Sequence, residues 1–271
     1  MLRALSMGAA VMAAALTAAG VSTAAPAPPT PVAVTVTDAA ITMPGRVAGG
    51  MTAMRFANAG TRIHEFAMGR ADAGHGVDEV RAAVRRIGRG GRPPAWLHDV
   101  GGPGNLTAGA AVTVSRVLRP GVYVVFDAVP DGRGVPGVAR GLSRVFRVAG
   151  DSGAPPPHAD VVITARADAF DIPALHAGIV TLELRVAAGA PRGFRLTSLR
   201  RGSTPGEADR WAAGIEQSGR LPAGPSPITM LGAMQTIPDG VSVWVTVALQ
   251  AGRTYGLGDD ESGVETRFTP R

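Results

Sequence analysis

Histidine is the residue type in this sequence with the widest chemical use, and only five occur in 271 residues. His64 lies in an apolar segment, residues 63–68, whose alternation predicts a β-strand. The other four lie in loops or alone, without the spacing of metal ligands: His75, His98, His158 and His176. An imidazole at the end of a half-buried strand can be a hydrogen-bonded structural residue or a metal ligand. His64 is therefore the first candidate site residue.

Several catalytic chemistries are excluded by composition. The chain has no Cys, which excludes disulfides, thiolate metal sites and cysteine catalysis. All 27 basic residues are Arg, so no lysine can form a Schiff base or bind a phosphate in a nucleotide loop. No serine lies in a Gly-x-Ser-x-Gly motif, and no pair of carboxylates stands out. We predict that the chain is not an enzyme.

Asp127 stands where a predicted strand gives way to a long loop. The apolar run Val122 to Phe126 predicts the strand. A loop rich in Pro and Gly follows, and a second predicted strand runs from Ser143 to Val148. The carboxylate therefore lies at a strand end, beside a loop.

Three segments resemble the cupredoxin family, the plastocyanin and azurin type. They are Asn58-x-Gly60-x-x-x-His64-Glu65-Phe66, Tyr123-x-x-x-Asp127-x-x-Pro130 and Val135-Pro136-Gly137 followed by Arg140-Gly141-Leu142. In that family these places carry the copper ligands His, Cys, His and Met. Here only His64 matches, and the other three places hold Asp127, Gly137 and Leu142. The resemblance thus implies a cupredoxin-like scaffold that has lost most of its copper ligands, since type 1 copper needs a thiolate and two imidazoles.

The resemblance implies that His64 and Asp127 converge at one end of a β-sandwich, as a candidate vestigial site. Three interpretations stay open at this point. His64 can be a satisfied polar residue, the pair can be a hydrogen-bonded substitute for the metal, or His64 can belong to a weak Cu(II) or Zn(II) site. Nearby methionines at 51, 54 and 68 fit better as core residues.

The N-terminus predicts export. A short basic start at Arg3, a mostly apolar run to about Gly20 and small residues at Ser22 and Ala24 are typical of a secretory signal peptide, residues 1–24. The run is too short and too interrupted by Gly and Ser to span a membrane. A Pro-rich linker, residues 25–31, follows. We expect a secreted or periplasmic protein without a membrane span after cleavage.

The remainder is predicted to contain two related domains. Val114 and Leu118 match Val245 and Leu249 at an offset of 131 residues, and similar matches at 129 and 130 cover most of each half. A second Pro-rich linker, residues 150–160, separates domain 1 (32–149) from domain 2 (161–271). The second copy is degenerate, because it lacks the long loop and has Phe194 in the place of His64.

The predicted fold class is all-β, with two tandem cupredoxin-like Greek-key β-sandwiches, each carrying one short helical insertion. Helical spacing predicts the first insertion near 77–87. A capping box, Thr204-Pro-Gly-Glu207, and a stop at Gly219 predict the second near 205–217. Residues 96–109 are expected to form a loop.

Charge differs between the halves. Residues 32–149 contain 15 Arg and 8 acidic residues, a net charge of +7, whereas residues 150–271 contain 11 Arg and 13 acidic residues, a net charge of −2. A basic domain can meet an acidic partner or an anionic surface, or its arginines can simply be solvated. The RGG-like segment 88–94 fits a helix stop, so no nucleic-acid partner is expected.

Two functions follow from these observations. The first is an exported, non-catalytic module without a cofactor, which binds a protein, an envelope component or a small ligand, or has a structural role. The second is a periplasmic or extracellular copper-handling protein with an altered metal site at His64.

Overall fold

The computed structural model describes residues 30–190, 193–218, 222, 224–238, 240–259 and 262–271. The predicted signal peptide, residues 1–24, and most of the first linker lie outside the described residues. Residues 150–160, the second predicted linker, contain no strand or helix. No helix in the described ranges is long and apolar enough to cross a membrane.

Ten strands and one α-helix form the first half of the chain, residues 32–149. They are β1 Val32–Val36, β2 Ile41–Thr42, β3 Arg46–Ala48, β4 Gly50–Asn58, β5 His64–Ala71, α1 Val77–Gly88, β6 Leu97–Asp99, β7 Gly104–Leu106, β8 Ala111–Leu118, β9 Gly121–Phe126 and β10 Ser143–Ala149. A 3-10 helix, Gly137–Arg140, lies between β9 and β10.

The described residues of the second half, within 161–271, form eight strands and one α-helix. They are β11 Val161–Ala165, β12 Phe170–Asp171, β13 Gly178–Val186, β14 Phe194–Leu199, α2 Pro205–Ser218, β15 Ile228–Met234, β16 Val243–Leu249, β17 Tyr255–Gly258 and β18 Glu265–Phe268. The predicted fold class is confirmed: the structure is mostly β-sheet with one helix in each half, consistent with cupredoxin-like β-sandwiches.

The expected loop over residues 96–109 is wrong in part, because it contains β6 and β7. Both are three residues long and pair with β5. Segments this short carry too little alternation to be recognised from sequence.

The strands form two sheets that each run through both halves. One sheet has the order β12-β11-β13-β16-β8-β4-β1-β2, and the other has the order β18-β17-β14-β15-β7-β5-β9-β10-β3. In the first sheet, the strands of the two halves follow the same order from the outer edge to the centre, β2-β1-β4-β8 and β12-β11-β13-β16. The two sets meet where β8 pairs with β16. The halves are therefore joined edge to edge.

The centre of the junction is the antiparallel pair Val114 and Val245, which the sequence matches at an offset of 131 residues. Both side chains are buried. Each half thus presents the same strand to the other, as subunits do across a two-fold axis. Pairing of β8 with β16 also removes two strand edges that would otherwise be open to another chain.

Strand β9 is apolar throughout because both of its faces are covered. Tyr123 and Val125 belong to the core between the sheets, whereas Val122 and Val124 pack beneath α1 with Val84. A strand buried on both faces shows a continuous apolar run instead of alternation. The helix is anchored over β9 by this contact, and β9 in turn delivers Asp127 to the end of the sheet.

Candidate functional site

His64 and Asp127 lie at the same end of the second sheet because their strands are antiparallel neighbours. β5 begins at His64, β9 ends at Phe126, and the two strands pair at Ala67 and Phe126. His64 Nδ1 is 2.8 Å from Asp127 Oδ2, and both side chains are fully buried. The structure therefore brings the two candidate residues into direct contact.

The second carboxylate oxygen of Asp127 is occupied as well. Its Oδ1 accepts hydrogen bonds from the backbone N–H groups of Glu65 and Val129, each at 3.0 Å. The guanidinium of Arg140 lies 4.0 Å from Oδ2. Backbone donors and the imidazole thus satisfy the hydrogen-bonding capacity of this buried carboxylate, and a cation lies nearby.

The opposite nitrogen of His64 contacts a residue that the sequence analysis did not identify. Nε2 lies 2.9 Å from Oδ1 of Asp38, in the turn between β1 and β2. Asp38 also accepts hydrogen bonds from the Thr61 hydroxyl at 2.6 Å and backbone N–H at 3.2 Å. Arg62 Nε lies 3.3 Å from the same carboxylate. In the sequence, Asp38 is a single acidic residue in a turn. Such residues are common, so nothing in the sequence indicated that Asp38 contacts His64.

These contacts change the ionisation of Asp38. Hydrogen bonds from Thr61 and then His64 are the largest causes that lower the pKa of Asp38 from 3.8 to about 2. Its side chain is 39% exposed, so this carboxylate covers the buried imidazole on the solvent side.

The imidazole therefore lies between two carboxylates, one on each ring nitrogen. An ionised carboxylate only accepts hydrogen bonds, and a neutral imidazole carries hydrogen on one nitrogen alone. The arrangement is fully satisfied when the ring donates through both nitrogens to Asp38 and Asp127. No ring lone pair is then left to bind a metal ion.

Two glycines leave the space for this network. A Cβ at Gly137 would lie 2.2 Å from Asp127 Oδ2, and a Cβ at Gly60 would lie 2.8 Å from both His64 Nε2 and Asp38 Oδ1. A real Cβ cannot approach so closely. A histidine at position 137, where the cupredoxin resemblance places a copper ligand, is thus incompatible with the present position of Asp127.

The four places implied by the resemblance meet in space, but their side chains do not fit type 1 copper. The Asp127 N–H donates to the Leu142 carbonyl at 3.0 Å, and the Leu142 N–H donates to the Gly137 carbonyl at 2.9 Å. Asp127 offers a carboxylate, whereas Gly137 and the buried Leu142 offer no donor atom. The soft thiolate and second imidazole that type 1 copper requires are missing from the donor set.

Other candidate ligands lie elsewhere. The methionines at 51, 54 and 68 are buried, the last two within the core between the sheets. His98 pairs with Asp72 at 2.9 Å, and His75 stacks on Trp96 at a ring distance of 4.1 Å. Within the described ranges, no three His, Cys, Asp or Glu side chains are grouped so that they could hold a metal ion.

The second half has an aspartate in the place of Asp127 but no histidine beside it. Phe126 pairs with Ser143 just before Asp127, and Gly258 pairs with Glu265 just before Asp259. Asp259 is only 3% exposed. The prediction that Phe194 stands in the place of His64 is wrong: Ala67 pairs with Phe126 as Arg195 pairs with Gly258, so Phe194 is the counterpart of Phe66. Phe194 is buried against Phe170 with ring centroids 5.2 Å apart. The sequence analysis missed Asp259, although its position after a Tyr-containing strand was a usable signal.

Comparison with known proteins gives distant structural similarities only. No protein-family profile matches the chain, and no curated protein is significantly similar in sequence. Reduced auracyanin from the photosynthetic bacterium Roseiflexus castenholzii is 19% identical, covers 45% of this chain and 99% of its own, and has a TM-score of 0.32. A multicopper oxidase is 14% identical over 88% of each chain, with a TM-score of 0.25. The copper nitrite reductase of Nitrosomonas europaea is 10% identical over 89% of this chain and 94% of its own, with a TM-score of 0.24. These values are too low to assign a function.

Proposed function

We propose that this chain is an exported, non-catalytic binding or structural protein, built on cupredoxin-like β-sandwiches and working without a type 1 copper centre. The observation that carries the proposal is the occupation of both His64 ring nitrogens by carboxylates, at 2.9 Å and 2.8 Å. A ligand histidine must offer a free lone pair to its metal. His64 has a structural role in this account.

The hydrogen-bonded network links separate segments of the chain, as a bound metal ion would. Asp38 belongs to the turn after β1, His64 to the start of β5 and Asp127 to the end of β9. β1 lies in one sheet, whereas β5 and β9 lie in the other. A charged hydrogen-bonded chain across this end therefore links the two layers of the sandwich.

A non-catalytic binding role is supported because the His64 site offers no free general acid or base. The buried carboxylate and imidazole are saturated with internal hydrogen bonds, so neither is placed to take a proton from a substrate. Export is part of the proposal on the strength of residues 1–24 alone. The partner remains a protein, an envelope component or a small ligand.

Copper handling is a second candidate function, and one contact favours it. Asp38 is 39% exposed, so it is the group that an entering metal ion could displace from His64 Nε2. The ion would then have one imidazole nitrogen and adjacent carboxylates, a donor set closer to Cu(II) or Zn(II) than to type 1 copper.

Metal analysis separates the two functions. The mature chain is purified without a tag, and its copper and zinc content is measured by plasma mass spectrometry beside a His64→Gln variant. Our proposal predicts well under one metal ion per chain in both proteins. One copper or zinc per chain in the wild type, lost in His64→Gln, supports the second function and rejects the first.

A further inference from the structure

A cavity of about 320 Å³ lies between the two halves of the molecule. Its volume is within the range of small-molecule sites. Residues of both halves line it, with Met68 and Phe126 from the first half and Phe194 from the second. The exposed residues Pro93 and His98 also line it, so the cavity opens to solvent.

One buried hydrogen-bond acceptor in this cavity has no donor among the described residues. Asn105 Oδ1 is buried and without a partner in those ranges. Asp259, which also lines the cavity, is only 3% exposed, and its Oδ2 accepts the Ser262 N–H at 2.8 Å. Asp259 Oδ1 lies against Gly193, where a Cβ would be 2.2 Å away. Buried acceptors without donors are costly, and a ligand that donates removes the cost.

The charges around the cavity are mostly negative. Glu65, Asp99 and Asp259 line it, and none of them forms an ion pair with a described basic residue. Gln235 Nε2 donates to Glu65. Burial is the main cause that raises the pKa of Glu65, and the nearby carboxylates of Asp127 and Asp99 add to it. A cation in the cavity would favour the ionised form of Glu65.

The two arginines near the cavity do not neutralise its negative charge. Arg195 lines the cavity, but its guanidinium lies 3.5 Å from Glu265. Arg116 is buried behind the wall, where it donates to the carbonyls of Val100 and Gly101, and it is close enough to Asp99 to interact with that carboxylate. Among the described residues, neither Glu65 nor Asp259 therefore has a basic partner.

We propose that this cavity binds a small organic cation, a primary ammonium with an apolar or aromatic body. The ammonium has three donors and no acceptor, which suits the unpartnered Asn105 Oδ1 and the carboxylates of Asp259 and Glu65. The apolar part lies on Phe126 and Phe194, whose rings and neighbours form the apolar wall. The proposal rests on the proposed binding role and names its site and ligand class.

Binding of 2-phenylethylamine to the mature chain tests the proposal by calorimetry at pH 7, after treatment with a chelator. Phenylacetate and 2-phenylethanol are the matched probes, since they keep the aromatic body and replace the cation by an anion or a neutral group. We expect the amine to bind, and both other compounds to bind at least about tenfold more weakly, the loss expected for a charge-assisted hydrogen bond.

Variants locate the site. Glu65→Gln and Asp259→Asn keep the side-chain shape, and each should weaken amine binding about tenfold. Asp168→Asn, at an exposed position in the β11–β12 turn, should leave it unchanged. Circular dichroism checks that each variant is folded.

Three results would overturn the proposal: no amine binding up to millimolar concentration, equal binding of phenylacetate, or unchanged affinity in both cavity variants. None of them bears on metal content. Conversely, His64-dependent copper would reject the proposed function without affecting amine binding in chelated protein, so the two failures can be told apart.

Discussion

His64 Nδ1 lies 2.8 Å from Asp127 Oδ2, and neither side chain has any solvent exposure. The pair is separated by 63 residues in sequence. It is in contact because antiparallel pairing of β5 and β9 sets the start of one strand beside the end of the other. The contact joins two strand ends that would otherwise be held only by the β-ladder.

Removal of the imidazole should be costly. His64→Ala leaves the carboxylate of Asp127 buried with its two backbone donors and Arg140 at 4.0 Å, so we expect a loss of about 3 kcal/mol in the free energy of unfolding. Urea denaturation of the folded chain measures it. His158→Ala, exposed in the linker, is the control and should change stability by less than about 0.5 kcal/mol. A loss below about 1 kcal/mol at His64 would mean that the pair is not structural.

Acid should weaken the same network from its exposed side. The pKa of Asp38 is lowered in the folded state from 3.8 to about 2. A depressed carboxyl pKa contributes stability that is fully present above about pH 4 and is lost as pH falls towards 2. The difference in unfolding free energy between wild type and Asp38→Asn should therefore shrink as pH falls from about 4.5 towards 2. A difference that does not change between pH 5 and pH 2 would contradict this assignment.

Because both sheets run through both halves of the chain, we expect the halves to unfold together. Val114→Asp places a carboxylate at the buried centre of the β8–β16 junction, whereas Val117→Asp places it on the same strand at a position that is 55% exposed. We expect Val114→Asp to lower the melting temperature of one cooperative transition in calorimetry. Val117→Asp should have little effect. Two separate transitions, with only the first half affected, would show that the halves are independent.

The proposed export should give the mature chain a defined N-terminus. Expression in a bacterial host with a secretion system should remove residues 1–24 and give a chain that begins at Ala25. Intact-mass measurement of the extracytoplasmic fraction checks it. Material that retains Met1 would show that the segment is not processed as a signal peptide.

Sequence patterns predicted both helices and the long strands of the first half, but neither the short strands β6 and β7 nor the assembly of the sheets. Helical spacing placed α1, and a capping box with a glycine stop placed α2, each within one residue of its observed ends. The joining of β8 to β16 was not predicted. A buried alternation such as that of residues 111–118 shows which face is covered, but the partner at the strand edge depends on backbone groups that every residue shares.

The candidate site, too, was predicted only in part. His64 and Asp127 were related through the cupredoxin resemblance, since both stand at recognisable strand ends. Asp38 was missed because its contact depends on how the turn after β1 lies across the end of β5, and a single acidic turn residue carries no sign of this. Asp259 was missed although it follows a Tyr-containing strand, and the pairing registers of β9 and β17 show that it is the counterpart of Asp127.

Two carboxylates face the ring nitrogens of His64, Asp38 at Nε2 and Asp127 at Nδ1. Nuclear magnetic resonance of chain labelled with ¹⁵N at histidine tests whether they exclude a metal ion, with spectra taken before and after one equivalent of Cu(II) is added. We expect His64 to show slowly exchanging protons on both ring nitrogens, hydrogen-bonded to Asp127 and Asp38, with no change when copper is present. Loss of either ring proton together with copper-induced broadening of the His64 signals would contradict the account.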